Sequence, residues 1–150
     1  MITAYRIVRG KHAAEAFTGE GARAHGGRWN SKGVAMVYCS SSIALAALET
    51  LVHINPRVPL DYVIIEAEFD GTFLEDMSKV NFPTGWDAEP PGPASMAVGD
   101  KWLKEGRSAV LSVPSCLTSE PNFLLNPEHK DFKHVKIGKP KAFRFDPRLV

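Results

Sequence analysis

The sequence predicts an α+β fold. Three observations carry that expectation: short runs rich in β-branched and aromatic residues recur along the chain, two or three segments between them read as helices, and no internal repeat or low-complexity tract interrupts the pattern. ITAYRIVR, residues 2–9, reads as a first strand. Residues 11–33 are small, polar and glycine-rich, which predicts a helical turn followed by a loop. VAMVYCS, 34–40, reads as a short buried strand. Ser41 or Ser42 then caps a helix over about 43–54, because a serine oxygen accepts an orphan amide of the first turn.

LDYVIIEAEF, 60–69, is the clearest strand. Four prolines between Pro83 and Pro93 remove donors and fix dihedrals, predicting an irregular excursion rather than a domain linker. A helix over about 95–105 precedes the strand SAVLSVPS, 108–115. SEPNFLLNPEHKDF, 119–132, reads as a loop and a short turn, and KHVKIG with KAFRFD as a closing hairpin across Gly138–Pro140.

Bulk properties narrow the function. A chain of 150 residues is expected to form one domain over 1–150, and 44% hydrophobic with 23% charged residues excludes wholesale disorder. A formal net charge of +1 offers no broad basic field, so nucleic acid is not expected as a direct partner. The N-terminal MITAYRIVRG lacks the apolar core of a signal peptide and no apolar run reaches 18 residues, so the expectation is a cytoplasmic protein without a membrane partner. Cys39 and Cys116 are read as free core thiols. The five histidines have no ligand spacing, so no metal site is expected.

Two local features invite chemistry. On the helical wheel of SSIALAALETLVHI, Ile43, Leu45, Leu48, Leu51, Val52 and Ile54 form a broad apolar arc, leaving Glu49, Thr50 and His53 in a narrow polar sector. Glu49 is either part of a solvated face or a lone acid looking into a cleft, with His53 one turn away. GGRWNSKG, 26–33, sets an arginine and a tryptophan in a segment built to bend.

Taken together, several fragments resemble one family. They are YR at 5–6, GGRWN at 26–30, VYCS at 37–40, ALAALETLVH at 44–53, VPS at 113–115, EPNFLLNPEH at 120–129 and FRFDPRL at 143–149. In this order they resemble the RES domain, the toxin half of bacterial RES–Xre toxin–antitoxin pairs, across essentially the whole chain. The resemblance implies an ADP-ribosyltransferase-like split β-sheet core with a few flanking helices, and NAD+ as substrate rather than cofactor. It implies NAD+ degradation by hydrolysis or phosphorolysis, with protein ADP-ribosylation reported for some members. The family's functional arginine, tyrosine, glutamate and serine fall on Arg28, Tyr38, Glu49 and Ser115, and the carry-over extends to Tyr5, Arg6, Asn30 and Asn126 as substrate-binding residues. The implied partner is a cognate Xre-type helix-turn-helix antitoxin.

The chemistry is compatible with so small a set. Cleaving the nicotinamide–ribose bond passes through an oxocarbenium-like sugar, as in glycoside hydrolysis, but nicotinamide is already a pyridinium and departs neutral. One carboxylate, Glu49, suffices to stabilise the developing charge, hold a ribose hydroxyl or orient the attacking water. Arg28 would hold the pyrophosphate through its guanidinium fork, with Gly26 and Gly27 allowing close backbone approach; the alternative is a turn arginine stacked on a ring. Tyr38 would offer a face to nicotinamide or be an ordinary core aromatic, and Ser115 would bond a ribose or cap a turn. Trp29 is read as packing, and His129 as pinning its loop. The leading expectation is an NAD+-depleting toxin, with a mono-ADP-ribosyltransferase and a non-catalytic interaction module as alternatives.

Overall fold

The computed structural model of the chain describes residues 1–54 and 61–149. Eight strands join in one sheet: β1 (Ile2–Arg9), β2 (Val37–Ser40), β3 (Tyr62–Phe69), β4 (Leu74–Asp76), β5 (Val110–Pro114), β6 (Pro121–Leu125), β7 (Lys136–Ile137) and β8 (Lys141–Phe143). Three α-helices accompany them: α1 (Glu20–His25), α2 (Ile43–Leu51) and α3 (Pro93–Glu105). The expected α+β class is the class observed. Leu60, the first residue expected in β3, lies outside the described residues.

The sheet runs β4-β5-β6-β2-β1-β3-β7, with β8 also on β3, and only the β4–β5 pair is parallel. β1 lies along β3 through eight consecutive partners, from Ile2↔Phe69 to Arg9↔Tyr62. It meets β2 at a single pair, Tyr5↔Ser40. The sheet is therefore two halves joined at one point, which is the physical content of the expected split core.

Strand alternation gives each face a separate task. One face carries Ala4, Val37, Cys39, Ala67, Phe69, Val110, Phe123 and Leu125, all buried in one core cluster. The other face carries two clusters. Trp29, Met36, Leu111, Val113 and Leu124 gather around Trp102 of α3. Ile7 and Tyr62 gather around Ala46 of α2. Between these clusters the sheet presents Tyr5, Tyr38, Ser40 and Asn122, and there the cleft lies.

The helices begin and end for local reasons. Ser42 caps α2 by accepting the Leu45 amide at 3.1 Å, as the sequence predicts. α3 starts with Pro93 in its first turn, where a missing N–H costs nothing, and stops at Gly106 in the left-handed region (φ 61°). His129 then joins that stop to the next loop: its Nδ1 accepts the Asp131 amide at 3.0 Å, which leaves Nε2–H to donate to the Gly106 carbonyl at 3.1 Å.

Three sequence expectations are corrected. Residues 121–125 are not loop but β6, an inner strand paired with β2 and β5. Its proline occupies the first residue, the position a ladder tolerates best. The C-terminal segments do not pair with each other: β7 and β8 both run antiparallel along β3, with Ala67↔Ile137 and Ile64↔Lys141. Between those pairs the register slips by one residue, so 138–140 is a bulge in one edge strand rather than a hairpin turn. Cys116 is exposed, because β5 ends at Pro114 and strand alternation no longer applies to it. Cys39 is buried as expected, and burial pushes its thiol up to about 12.

Candidate active site

A cleft of about 1100 Å³ opens between α2 and the turn that follows α1, at the upper end of what a small-molecule site needs. Its walls include Tyr5, Arg28, Tyr38, Glu49, Asn122 and Glu89.

Glu49 projects from α2 and its Oε2 is held twice. Ser115 Oγ donates to it at 3.0 Å, and Asn122 Nδ2 donates to the same oxygen in a short contact. Ser115 is itself fixed, since its Oγ also accepts the Leu117 amide at 3.0 Å. The serine the sequence singled out thus reaches Glu49, 66 residues away, at the end of β5. One carboxylate oxygen is thus anchored; among the described residues no side chain or amide donates to the other, Oε1. His53 stands exposed at the rim.

The opposite wall is a tight turn. Gly27 and Asn30 form a bridge, the Gly27 amide donating to the Asn30 carbonyl at 3.0 Å, with Arg28 and Trp29 at the tip. These two neighbours part company. Trp29 is 2% exposed and packs on Trp86 (5.9 Å, stacked) and Phe82 (5.2 Å, edge-on), confirming it as a packing residue. Arg28 turns to the cleft and is tied to the proline-rich excursion. Its Nη1 donates to the Trp86 and Ala88 carbonyls at 3.1 and 2.8 Å, and its Nη2 pairs with Glu89 at 3.1 Å.

The glycines of this motif also have reasons within the protein. Gly26 has φ 72°, a positive φ that side-chain-bearing residues rarely adopt, at the end of α1. A Cβ on Gly27 would stand 2.7 Å from the Tyr38 hydroxyl. That hydroxyl is the turn's keystone: it accepts the Trp29 amide at 3.0 Å and donates to Asn30 Oδ1 at 2.6 Å. Burial above all raises the Tyr38 phenol from its ordinary range, so it stays a neutral donor. The ring lines the cleft while the oxygen serves the turn.

Asn30 is fully buried and outside the cleft wall, its Nδ2 donating to the Ala22 and Val34 carbonyls at 2.8 and 3.0 Å. Asn126 is likewise buried away from the cleft, where Oδ1 accepts the Glu128 amide at 2.9 Å. Both satisfy loop backbone. Arg6 borders the cleft, and its Nε and Nη1 donate to the Ala16 and Tyr38 carbonyls at 2.7 and 2.8 Å. Tyr5 lines the cleft at the point where the half-sheets meet.

Sequence reasoning missed several participants. Asn122 was hidden in a segment read as loop. Asp100 of α3 accepts the Ser31 amide and hydroxyl at 2.9 and 2.5 Å, fastening the turn to the helix. Gly99 beside it allows that contact, since a Cβ there would lie 1.8 Å from the Trp29 carbonyl oxygen. No local signal marks a long-range pair of this kind; the glycine–aspartate step inside a helix is its only trace. Among the described residues, no group of three or more His, Cys, Asp or Glu is placed to hold a metal ion. No helix among them is long and apolar enough to cross a membrane.

Sheet, cleft and anchored acid define the class: an α+β protein whose sheet is split at one strand pair, with a carboxylate held by two side-chain donors in the opening. The chain belongs to the RES domain family, whose model matches residues 3–146. It is 43% identical over 144 residues to the "Prs ADP-ribosylating toxin" of Sphingobium sp. (strain YBL2), covering 93% of this chain and 89% of that protein. It is 41% identical over 148 residues to "Toxin Res" of Yersinia enterocolitica, covering 97% of each chain. Among solved structures it resembles a chain of the M. tuberculosis MbcT–MbcA toxin–antitoxin complex, with a TM-score of 0.73 at 16% identity over 99% of this chain and 86% of that one, a likeness of fold. These relationships place the chain among RES-domain toxins.

Proposed function

We propose that this toxin cleaves the nicotinamide–ribose bond of NAD+. The observation that supports it best is Glu49, anchored through Oε2 by Ser115 and Asn122 and facing Arg28 across a cleft roomy enough for a dinucleotide. In this reading the C1′–N bond breaks and its electron pair returns to the nicotinamide ring, which leaves neutral. The oxocarbenium-like ribose is stabilised by the Glu49 carboxylate, and a nucleophile adds at C1′ while losing its proton. Arg28 binds the pyrophosphate with its remaining donors or by exchanging the exposed Glu89 carboxylate for phosphate oxygens. Tyr38 presents its ring to the ligand and fixes the turn that carries Arg28.

The acceptor is water or phosphate, which depletes NAD+ and arrests growth. A second reading, transfer of ADP-ribose to a protein, is favoured by the name of the Sphingobium relative. The partner we propose is an Xre-type antitoxin that covers the cleft; likeness to a chain from a toxin–antitoxin complex supports a partner of that kind.

The test is to incubate the purified protein with NAD+ and follow free nicotinamide, with and without phosphate and candidate acceptor proteins. Nicotinamide release that depends on Glu49 is expected. Turnover that persists in Glu49→Ala would remove the acid from the mechanism. Absence of turnover together with no NAD+-dependent thermal shift would favour an interaction module.

A further inference from the structure

We propose that Asn122 is a positioning residue for Glu49, and that Ser40 holds the Asn122 amide in the orientation this requires. The inference rests on the reading of Glu49 as the reacting acid, and it adds two residues to it.

Ser40 and Asn122 are direct cross-strand partners on β2 and β6. Ser40 is 4% exposed, and its Oγ donates to Asn122 Oδ1 at 2.8 Å. The other end of the amide, Nδ2, donates to Glu49 Oε2. An ionised carboxylate only accepts, so it requires the nitrogen end of the amide. Rotating the amide by half a turn would set Oδ1 against Oε2, two acceptors in contact. A serine hydroxyl can donate or accept, so Ser40 closes the chain by donating to the oxygen end.

The consequence is a carboxylate with one defined anchored oxygen, Oε2, and, among the described residues, no donor on Oε1. Ser115 and Asn122 both load Oε2 from the sheet side, and the carboxylate plane is held by two donors on different strand ends. The loop into β6 also grips α2 about two turns earlier, where Ser42 Oγ donates to Glu120 Oε1 at 3.1 Å. Residues 120 and 122 therefore set both the start of the helix and the direction of its acid. A carboxylate freed from this hold would sample rotamers in which Oε1 no longer meets the sugar, and a misplacement of about 1 Å costs on the order of 100-fold in rate.

The experiment pairs kinetics with a spectroscopic signature. Asn122→Ala is expected to lower kcat for nicotinamide release by about 100-fold, with KM for NAD+ within about threefold, because the interaction matters in the transition state. Ser40→Ala is expected to lower kcat by a smaller factor, on the order of tenfold. In 15N-labelled wild-type protein the Asn122 side-chain amide should give a widely split, slowly exchanging proton pair. That pair should collapse in Glu49→Gln and in Ser40→Ala. Should Asn122→Ala fail to fold, the near-isosteric Asn122→Asp supplies the kinetic arm, with the same expected loss in kcat. Wild-type kcat in a folded Asn122 variant, a loss confined to KM, or an amide pair indifferent to Glu49→Gln would each overturn the proposal. If wild-type protein releases no nicotinamide, the proposed reaction falls, and the amide signal alone decides whether the Ser40–Asn122–Glu49 chain exists.

Discussion

The two walls of the cleft are built by opposite means. The wall around Trp29 and α3 is a packed one: aromatic rings, a helix seated directly on the Trp29 main chain at Gly99, and Asp100 fastening Ser31. The wall around α2 is a hydrogen-bonded one, in which Glu49 is aimed by side chains from β5 and β6. The packed wall supplies rigidity, while its polar tip, Arg28, is held by loop carbonyls and an exposed carboxylate. The hydrogen-bonded wall buries Leu45 and Ala46 beneath it and fixes one atom above. Precision at an acid and strength of a scaffold are thus separate constructions here, and substitutions should separate them.

The largest effect is expected at the acid. Glu49→Gln should reduce nicotinamide release by about 1000-fold or more while leaving thermal unfolding nearly unchanged; a large fall in melting temperature would break the contrast, by showing that the acid is scaffold too. Trp29→Ala should cost about 3–5 kcal/mol in urea denaturation, the usual penalty for emptying a buried aromatic site. Gly99→Ala should cost about 1–3 kcal/mol, since α3 must lift off the Trp29 carbonyl. Tyr38→Phe removes a hydroxyl that bonds both Trp29 and Asn30, and should cost about 1–2 kcal/mol with a further loss in NAD+ affinity as the Arg28 turn loosens. The smallest effect belongs to Glu89→Gln, which should alter KM for NAD+ by less than about threefold without a measurable change in stability, because the carboxylate it removes is exposed and Arg28 keeps its two carbonyl partners.

Legibility in the sequence followed the same division. Strands with strong β-branched content and the capped helix α2 were readable because their periodicity is local, and Glu49 stood out as an acid in a narrow polar sector. β6 was not readable: EPNFLLNP is bracketed by prolines, and nothing local reports that Pro121 occupies the tolerant first position of an inner strand. Asn122 was lost with it. The closing hairpin failed for a related reason, since Gly138–Pro140 has turn chemistry but sits as a bulge along β3. Gly27 is legible as a place of close approach, and within the protein the approaching atom is the Tyr38 hydroxyl. Which atom arrives from 11 residues away is tertiary information.

The meeting of β1 and β2 at the lone pair Tyr5↔Ser40 has a mechanical consequence. One pair of residues offers too few main-chain bonds to resist twisting between the half-sheets. The joint is braced by the Arg6 Nη1 bond to the Tyr38 carbonyl and by α2, which lies against both β1 and β2 and acts as a splint across it. The splint also bears the acid. Any molecule that wedges the halves apart loads the same helix that aims Glu49, so the width of the cleft and the bearing of its carboxylate are set by one lever.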